Sequence, residues 1–405
     1  MIFAIGALFS SVYLGVCFYL SRGLKNIAEN FEDPQENTKG CAKKNADFCG
    51  QENACRCGVS CNPPLVSIII CARNEEKNIG DLLECLMRQN YPQKQLQIIV
   101  ADDRSEDKTA ETVLSYKDKI KNLRLVQITE TQEGTAPKKH AFNQALSLAD
   151  GEIILQTDAD SRVGEDWTKK SVAPFEDGEI ALSQGIVKFA FDEKISLFLK
   201  IYQNIDFLSH GIVAAAGVGR NLPFNANANN FAFRKKDCES LGGYGILGRA
   251  VGGDDGLLMQ KFQGLGKKIF FNVKSTVKTA PEYSWKSMIN QRIKWGSETA
   301  FYRKKQIVLL GAIFGFYCFA LFVAATVLAL RQDFWIIPAL FAVKIAGELF
   351  FMLRGLKIFG EKSLLPHIIW TSPINLFLTV FCVFCGFFSK FEWKGEKFRA
   401  KIPAA

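Results

Sequence analysis

The sequence predicts an α/β domain with a mostly parallel sheet and helices on both faces, flanked by transmembrane helices. Short apolar runs alternate with amphipathic stretches over about residues 64–160, which is the pattern of a parallel sheet. Polar residues follow each of these apolar runs, and long uncharged stretches lie on either side of the domain. A chain of 405 residues, 48% of them hydrophobic, is long enough for both parts.

The first apolar stretch is interpreted as an uncleaved membrane anchor over residues 1–22. Residues 2–20 contain no charge. A cleaved signal peptide is the alternative, but a charged segment before the apolar run and a small-residue cleavage site after it are both missing. Arg22 and Lys25 follow the run, and basic residues favour the cytosolic side, so the next part of the chain is predicted to be cytosolic.

Residues 23–63 are predicted to be a polar linker that ends in Pro63 and Pro64. Five cysteines fall within 21 residues of this segment: Cys41, Cys49, Cys55, Cys57 and Cys61. They could bind a metal or form disulfides, but paired two-residue spacings and histidines are missing, and a cytosolic location disfavours disulfides. A flexible linker with reduced thiols is the simpler interpretation.

The domain over residues 64–282 begins with strands and helices in regular alternation. Strands are predicted at 65–71, 97–101, 124–128 and 153–158, with helices between them at 77–89, 108–117 and 138–148. In parallel sheets, ligands bind outside the carboxyl ends of the strands. Three polar groups fall at those ends: Asn74 with Glu75, Asp102 with Asp103, and Asp158 with Asp160.

Asp158 and Asp160 are candidate metal ligands. Alternate residues of an extended backbone share a face, so both carboxylates can reach one small volume. Mg²⁺ and Mn²⁺ prefer such hard oxygen ligands, and Mg²⁺ often takes only one or two carboxylates besides substrate phosphates. An acidic turn after a strand is the alternative for this pattern alone.

Residues 283–305 are predicted to form an amphipathic helix at the membrane interface. The region 306–390 follows it, and residues 306–330 are uncharged and long enough to span a bilayer. A second candidate span, at 335–353, is interrupted only by Lys344 and Glu348, which are four residues apart and can pair on one helix face.

The last apolar stretch, 364–388, leaves the topology open. It is weakened by Pro366, Pro373 and Asn375. A third crossing after a cytosolic domain would place the basic tail 391–405 outside, whereas its lysines and arginine are typical of an inside tail. The stretch is therefore either a span or a re-entrant or interfacial segment.

The charge distribution indicates a membrane partner. Residues 301–405 hold 13 Lys or Arg and 5 Asp or Glu, a balance of +8, and this is nearly all of the chain's formal charge of +9. Basic residues next to membrane segments favour an anionic leaflet rather than nucleic acid. We therefore expect an integral protein of the inner (plasma) membrane that binds no nucleic acid.

Six motifs in order carry a family resemblance over about residues 64–300. They are VSIIICARNE at 66–75, VADDRS at 100–105, KKxAFN at 138–143, TDAD at 157–160, GGDD at 252–255 and QRIKW at 291–295. Their order and spacing resemble those of inverting family-2 glycosyltransferases with the GT-A fold. The resemblance implies a nucleotide-sugar donor and a metal-assisted transfer of its sugar.

Carried onto this sequence, the resemblance implies roles for the donor-side residues. Glu75, Asp102 and Asp103 would contact the nucleoside of a UDP-sugar. Lys138 or Lys139 would meet the phosphates, with a solvated helix start as the alternative for either lysine. Asp160, with Asp158, would hold Mg²⁺ or Mn²⁺ against the diphosphate.

The resemblance also implies the base and the acceptor-side residues. Asp255 would remove the proton of the acceptor hydroxyl, supported by Asp254, although Asp254 could instead be a helix cap. Four further residues belong to the acceptor and diphosphate motif: Gln291, Arg292, Lys294 and Trp295. The family usually has Arg at the position of Lys294, so bidentate phosphate contact there would depend on Arg292.

Three functions are compatible with these motifs. The first is a single transfer to a lipid, a lipid-linked acceptor or a glycan, and the second is a processive polysaccharide synthase. The third is a degenerate membrane scaffold, which is disfavoured because all the expected acidic residues are present. An asparagine-rich loop at 222–234 could bind the acceptor sugar or could simply form turns.

Overall fold

A computed structural model describes residues 2–32, 63–130, 135–243, 254–299, 302–331, 333–393 and 396–399. The side chains of residues 2, 3, 31, 32, 254 and 390–399 are not included. The Cys-rich segment, Gly252 and Gly253 therefore lie outside the described residues, and so does the side chain of Asp254.

Eight strands form the main sheet in the order β3-β2-β1-β4-β7-β6-β8-β5. They are β1 (Val66–Ala72), β2 (Leu96–Asp103), β3 (Leu123–Ile128), β4 (Ile153–Asp158), β5 (Arg162–Val163), β6 (Ile180–Phe189), β7 (Phe231–Arg234) and β8 (Lys268–Thr279). The first four are parallel, which confirms the predicted sheet. β7 is antiparallel to both of its neighbours, and β6 and β8 are parallel. A small hairpin, β9 (Lys390–Trp393) and β10 (Glu396–Arg399), lies apart from this sheet.

Helices cover both faces of the sheet, as predicted. They are α2 (Ile79–Met87), α3 (Thr109–Leu114), α4 (Pro137–Ser147), α5 (Trp167–Val172), α7 (Lys235–Ser240) and α8 (Asp254–Gly264). Alternate residues of β1 enter different cores: Ile68 packs with α2 and α5, whereas Ile69 packs with α4 and α8. This two-sided burial explains why β1 is apolar at almost every position.

In the part of the chain that the structure describes, four long helices are apolar enough to cross a membrane by length and composition. They are α1 (Ile2–Glu32), α10 (Lys304–Leu330), α11 (Ile336–Ile358) and α12 (Ile368–Phe388), the last preceded by a short 3₁₀ turn at Lys362–His367. Two further helices connect them to the sheet: α6 (Leu197–Gly219) and α9 (Trp285–Glu298).

Helix α1 continues beyond the predicted end of the anchor at residue 22, through residues predicted to belong to the linker. Its later residues Leu24 and Ile27 are buried in a core shared with α6. A Cβ built on Gly23 would lie 2.1 Å from the carbonyl oxygen of Ala216, so the two backbones touch. The extension of α1 is therefore held by packing against α6.

Helix α12 lies along α9 and runs in the same direction. A Cβ on Gly296 would lie 2.7 Å from the carbonyl oxygen of Cys382, and one on Gly386 would lie 2.6 Å from the Ser297 nitrogen. Glycine at these two positions allows the helix backbones to approach closely. Farther toward the start of both helices, Ile374 packs in the cluster that contains Met288 and other residues of α9.

A buried polar cluster joins the membrane-type helices. Lys344 on α11 is completely buried and donates to the side-chain and carbonyl oxygens of Ser372 on α12, both at 2.9 Å. It also pairs with Glu348, and the Tyr317 hydroxyl on α10 donates to Glu348 at 3.1 Å. The i, i+4 pairing expected from the sequence is therefore confirmed.

Candidate active site

The loops after β1 and β2 place two acidic groups side by side. Asn74 and Arg104 both have a φ of +56°, which turns the chain sharply at each strand end. The two loops are joined by the Asn74 amide, which donates to the Ser105 hydroxyl at 2.9 Å, and by the Glu75 amide, which donates to Thr109 at 2.8 Å. These bonds join the two loops at the carboxyl edge of the sheet.

Asp102 and Asp103 have different environments. Asp103 accepts from the Arg104 Nε at 2.8 Å and lines a large cavity. Asp102 is 4% exposed, and its Oδ1 has no hydrogen-bond partner among the described residues. Burial raises the pKa of the Asp102 carboxyl, although bonds to Ser105 partly oppose this effect.

The two lysines at the start of α4 also have different environments. The Lys138 Nζ lies 2.7 Å from the Asp158 Oδ1, and both side chains line the cavity. Lys139 has no exposed surface and is not among the described residues that line the cavity. Of the two predicted phosphate-binding lysines, the structure therefore places only Lys138 at the cavity.

Asp160 lines the same cavity as Asp158 and accepts from the Thr279 hydroxyl at 3.0 Å. The pKa of Asp160 is raised to about 6, first by burial and then by the charge of Asp158. A divalent cation between the two carboxylates would relieve both effects, so this donor set fits Mg²⁺ or Mn²⁺.

The metal would need further ligands from the substrate. Within the described ranges, no group of three or more His, Cys, Asp or Glu side chains could hold a metal ion. Two carboxylates and the oxygens of a diphosphate form a coordination set that is common for Mg²⁺. The predicted pair therefore suits a metal that binds together with the donor.

Asp255 lies in the first turn of α8 and faces the cavity. Its Oδ1 accepts from the Gly256 amide at 2.7 Å. A Cβ on Gly256 would lie 3.6 Å from the backbone of Ala226, so α8 packs closely on the asparagine-rich loop. This packing brings the predicted base and the loop to one wall of the cavity.

Helix α9 brings its motif residues to the same cavity. Gln291, Arg292, Lys294 and Trp295 all line the cavity. The Arg292 guanidinium lies 4.0 Å from the centre of the Trp295 ring, pairs with Asp206 and donates to Gln291. Its Nη2 is buried and has no hydrogen-bond partner in the described part of the chain, so Arg292 keeps one donor for a ligand.

Asp206 and Asn375 belong to this site although the sequence interpretation missed them. Asp206 on α6 is 7% exposed and binds Arg292 on one oxygen and the Asn375 side-chain amide, at 3.1 Å, on the other. Both residues line the cavity. Asp206 is the one acidic residue in the apolar run 197–219, and this feature of the sequence could have identified it as a candidate site residue.

The asparagine-rich loop divides between the cavity and the core. Asn225, Asn227 and Asn229 line the cavity. Asn230 is buried, accepts from the Trp167 indole at 3.0 Å and donates to the Ile186 carbonyl at 2.9 Å. The first three asparagines can thus meet a ligand, while Asn230 holds the sheet together.

A single cavity of about 1200 Å³ connects these groups. Ten of the predicted site residues line it: Glu75, Asp103, Lys138, Asp158, Asp160, Asp255, Gln291, Arg292, Lys294 and Trp295. The cavity continues from the carboxyl edge of the sheet to side chains of α1, α10, α11 and α12. Fold and site together define a GT-A-like α/β protein built against membrane-type helices.

The chain belongs to glycosyl transferase family 2. The family model for glycosyl transferase family group 2 matches residues 153–389, which is more than half of the chain. The family model for glycosyl transferase family 2 matches residues 67–236. Both matches overlap the sheet and the cavity, and the longer one also includes α9 to α12. This confirms the resemblance carried by the six motifs.

Two curated relatives and one solved structure show similarity to the chain. The probable glycosyltransferase YdaM of Bacillus subtilis is 29% identical over 234 residues, 57% of this chain and 54% of the relative. The beta-monoglucosyldiacylglycerol synthase of Trichormus variabilis is 38% identical over 125 residues, 30% of this chain and 25% of the relative. The chain thus spans about half or less of these relatives.

The solved structure is the mannosyltransferase PcManGT from Pyrobaculum calidifontis in complex with GDP-Man and Mn²⁺. It has a TM-score of 0.57 and 19% identity, and the match covers 93% of this chain and 99% of that chain. The two proteins share a fold along almost their whole lengths, including the GT-A-like sheet.

Proposed function

We propose that the protein is a membrane-bound inverting glycosyltransferase that moves a sugar from a nucleotide sugar, in particular a UDP-sugar, to a lipid or glycan acceptor. The observation that carries this proposal is the single cavity, which connects the acidic carboxyl edge of the sheet with Asp255 and with the α9 motif. The relative named as a beta-monoglucosyldiacylglycerol synthase supports a lipid acceptor.

Donor binding would use the edge formed by β1, β2 and β4. Glu75 and Asp103 accept hydrogen bonds from the base and the ribose, with Asp102 buried beneath them. Lys138 exchanges its bond with Asp158 for one with a phosphate, which frees Asp158. Asp158 and Asp160 would hold Mg²⁺ or Mn²⁺, which neutralises charge on the leaving diphosphate when bound.

The transfer itself is a direct displacement. The acceptor oxygen forms a bond to the anomeric carbon from the face opposite the nucleotide, and the bond from that carbon to the diphosphate oxygen breaks with its electron pair. The acceptor proton passes to the Asp255 carboxylate. The Gly256 amide bonded to Asp255 fixes the direction of this carboxylate.

Helix α9 contributes on the acceptor side. The free Nη2 of Arg292 can donate to a diphosphate oxygen, which offsets the replacement of the family's usual Arg by Lys294. Trp295, held beneath Arg292, offers an aromatic face to the acceptor sugar or to the glycosidic region. The apolar helices would place this reaction at the cytosolic face of the plasma membrane.

The test is UDP release by the detergent-solubilised full chain over a panel of UDP-sugars, with Mn²⁺ or Mg²⁺ and added membrane lipids. One donor should give metal-dependent release. Asp255→Asn should lower the rate by about 10²–10⁴-fold without weakening UDP binding, whereas Asp160→Ala should weaken metal-dependent binding. Absence of UDP binding to the unmodified protein would contradict the donor-site assignment.

A processive synthase is the second candidate, because the α9 motif and the continuation of the cavity among membrane-type helices also suit a growing chain. Product size on a gel separates the two candidates. Polymer would favour the synthase, and a product with one added sugar would favour single transfer.

A further inference from the structure

The membrane side of the cavity is formed by two facing helices. From α10 it is lined by Ile307, Leu310, Gly311 and Phe314, and from α12 by Leu378, Thr379, Val383 and Phe387. Residues 371–387 of α12 contribute to the lining, a helical length of about 24 Å. This exceeds half of the ~30 Å hydrocarbon core, so the space suits an acyl chain from one leaflet.

The crevice between α10 and α12 is open toward the outside of the molecule. Gly311 is exposed while lining the cavity, and a Cβ built on it meets no heavy atom within 4 Å. The rings of Phe314 and Phe384 lie 6.1 Å apart at this crevice. Large apolar residues on α12 face outward at helical spacing: Phe377, Phe381, Phe384 and Phe388. A surface of this kind is covered by lipid in a membrane protein.

The charges of the lining indicate an uncharged occupant. The described lining contains nine carboxylates but four cations: Arg73, Lys138, Arg292 and Lys294. In the proposed function, two of these cations, Lys138 and Arg292, bind the donor diphosphate and so do not serve a second anion. The described lining from α1, α10, α11 and α12 contains one charged side chain, the acidic Glu348. Glu348 is already paired with Lys344, and no Lys or Arg is among the described lining residues of these four helices, so an anionic lipid head group such as a polyprenyl phosphate would have no cationic partner there.

We infer that the acceptor is an uncharged membrane lipid with a free hydroxyl, which enters sideways between α10 and α12 from the leaflet next to the catalytic domain. This inference rests on the proposed function. The lipid hydroxyl attacks the anomeric carbon, its proton passes to Asp255, and UDP leaves with the electron pair of the broken bond. A weakly acidic alcohol needs such a base, in contrast to a phosphate that is already ionised.

The experiment uses a diacylglycerol with a photoreactive diazirine in one acyl chain, offered to the full chain in lipid nanodiscs. Labelled peptides are mapped by mass spectrometry, and UDP binding with Mn²⁺ is measured on the same samples. Gly311→Leu fills the crevice without a backbone clash. Gly15→Leu is its matched control, because Gly15 is an exposed helical glycine with open space that does not line the cavity.

We expect labelling of residues 307–314 and 378–387, competed by dioleoylglycerol and not by undecaprenyl phosphate. Gly311→Leu should lower this labelling at least about fivefold with UDP binding unchanged, and Gly15→Leu should leave both unchanged. Labelling spread evenly over the membrane helices, or an equal loss in both variants, would overturn the lateral entry. Stronger competition by undecaprenyl phosphate would overturn the uncharged acceptor. If the unmodified protein did not bind UDP, the assignment of the nucleotide-sugar site in the proposed function would be wrong instead.

Discussion

Neighbouring residues with the same chemistry occupy different positions in this site. The resemblance assigned roles to two pairs of neighbouring residues, Lys138 with Lys139 and Asp102 with Asp103. In the structure, one residue of each pair, Lys138 and Asp103, lines the cavity. Adjacent side chains point about 100° apart on a helix and to opposite faces of a strand. Which member faces the ligand depends on how α4 and β2 pack, and the sequence motif does not contain that information.

Asp102 offers a pH-dependent test of this packing. Its folded-state pKa is raised by burial, so the ionised carboxylate destabilises the fold at neutral pH, and this penalty disappears as pH falls through the folded-state pKa. Asp102→Asn should therefore raise the unfolding temperature at pH 8, by about 2–4 °C per kcal/mol of relief. The gain should shrink toward zero near pH 4, as measured by differential scanning fluorimetry.

Asp103→Asn is the matched control, because Asp103 has an ion-pair partner in Arg104 that the substitution removes. No stabilisation at pH 8 is expected from it. If Asp102→Asn destabilised the protein at pH 8, the buried carboxylate would have to be stabilised in its charged form, contrary to this assignment.

The ion pair between Asp206 and Arg292 is a contact that sequence patterns did not predict. The α9 motif identified Arg292, but its partner Asp206 lies on α6, more than eighty positions earlier in the chain. One acidic residue in an apolar run indicates that it has a polar partner, but it does not indicate which residue that partner is. The pairing of Arg292 with Asp206 became visible only in the folded chain.

At the scale of elements, local alternation predicted β1 to β4 and their helices, and helical spacing predicted α9. Helix α6 and the strands β6 and β8 were not predicted, because the place of these strands in the sheet depends on pairings between distant segments. The contact between α9 and α12 was also missed. The residues that permit this contact are Gly296 and Gly386. Their role can be recognised only when the two helices are known to be neighbours.

Gly386→Val tests the role of that contact. The new Cβ would lie 2.6 Å from the Ser297 nitrogen and 2.9 Å from the Ile293 carbonyl oxygen, so α9 and α12 must separate. We expect a loss of about 1–3 kcal/mol in stability, typical of overpacking, and a lower transfer rate with UDP binding retained. Thermal unfolding, UDP release and UDP titration measure the three quantities.

Gly15→Val on α1 serves as the comparison, since open space surrounds a Cβ there. Equal activity of the Gly386 and Gly15 variants would show that the α9 motif does not depend on α12 for its position.

At the scale of the whole molecule, the two ends of α12 contact the sheet domain and α9. Just before α12, Glu361 pairs with Lys188 of β6 at 2.8 Å, and near its end Gly386 touches α9. We therefore expect that α12, although long enough to cross, does not reach the far side of a bilayer. With α1, α10 and α11 as the three crossings, the basic tail would lie on the side of the domain, as its charge pattern predicts.

Reporter fusions test this topology. Green fluorescent protein fused after Ala405 should fluoresce in a bacterial host, and alkaline phosphatase at the same point should be inactive. Alkaline phosphatase inserted after Arg331, between α10 and α11, should be active at least about tenfold above that level. Active phosphatase at the C-terminal fusion would show that α12 crosses the membrane.

The buried cluster around Lys344 has a consequence for the assembly of the protein during synthesis. A lysine at the centre of an isolated membrane helix costs about 2.5–3.5 kcal/mol to insert. Glu348 reduces this cost within α11, but Tyr317 comes from α10, and Ser372 leaves the ribosome only after α11 is complete. We therefore expect α11 to reach its final position only after α12 has been synthesised, so that the part of the cavity lined by these helices forms last.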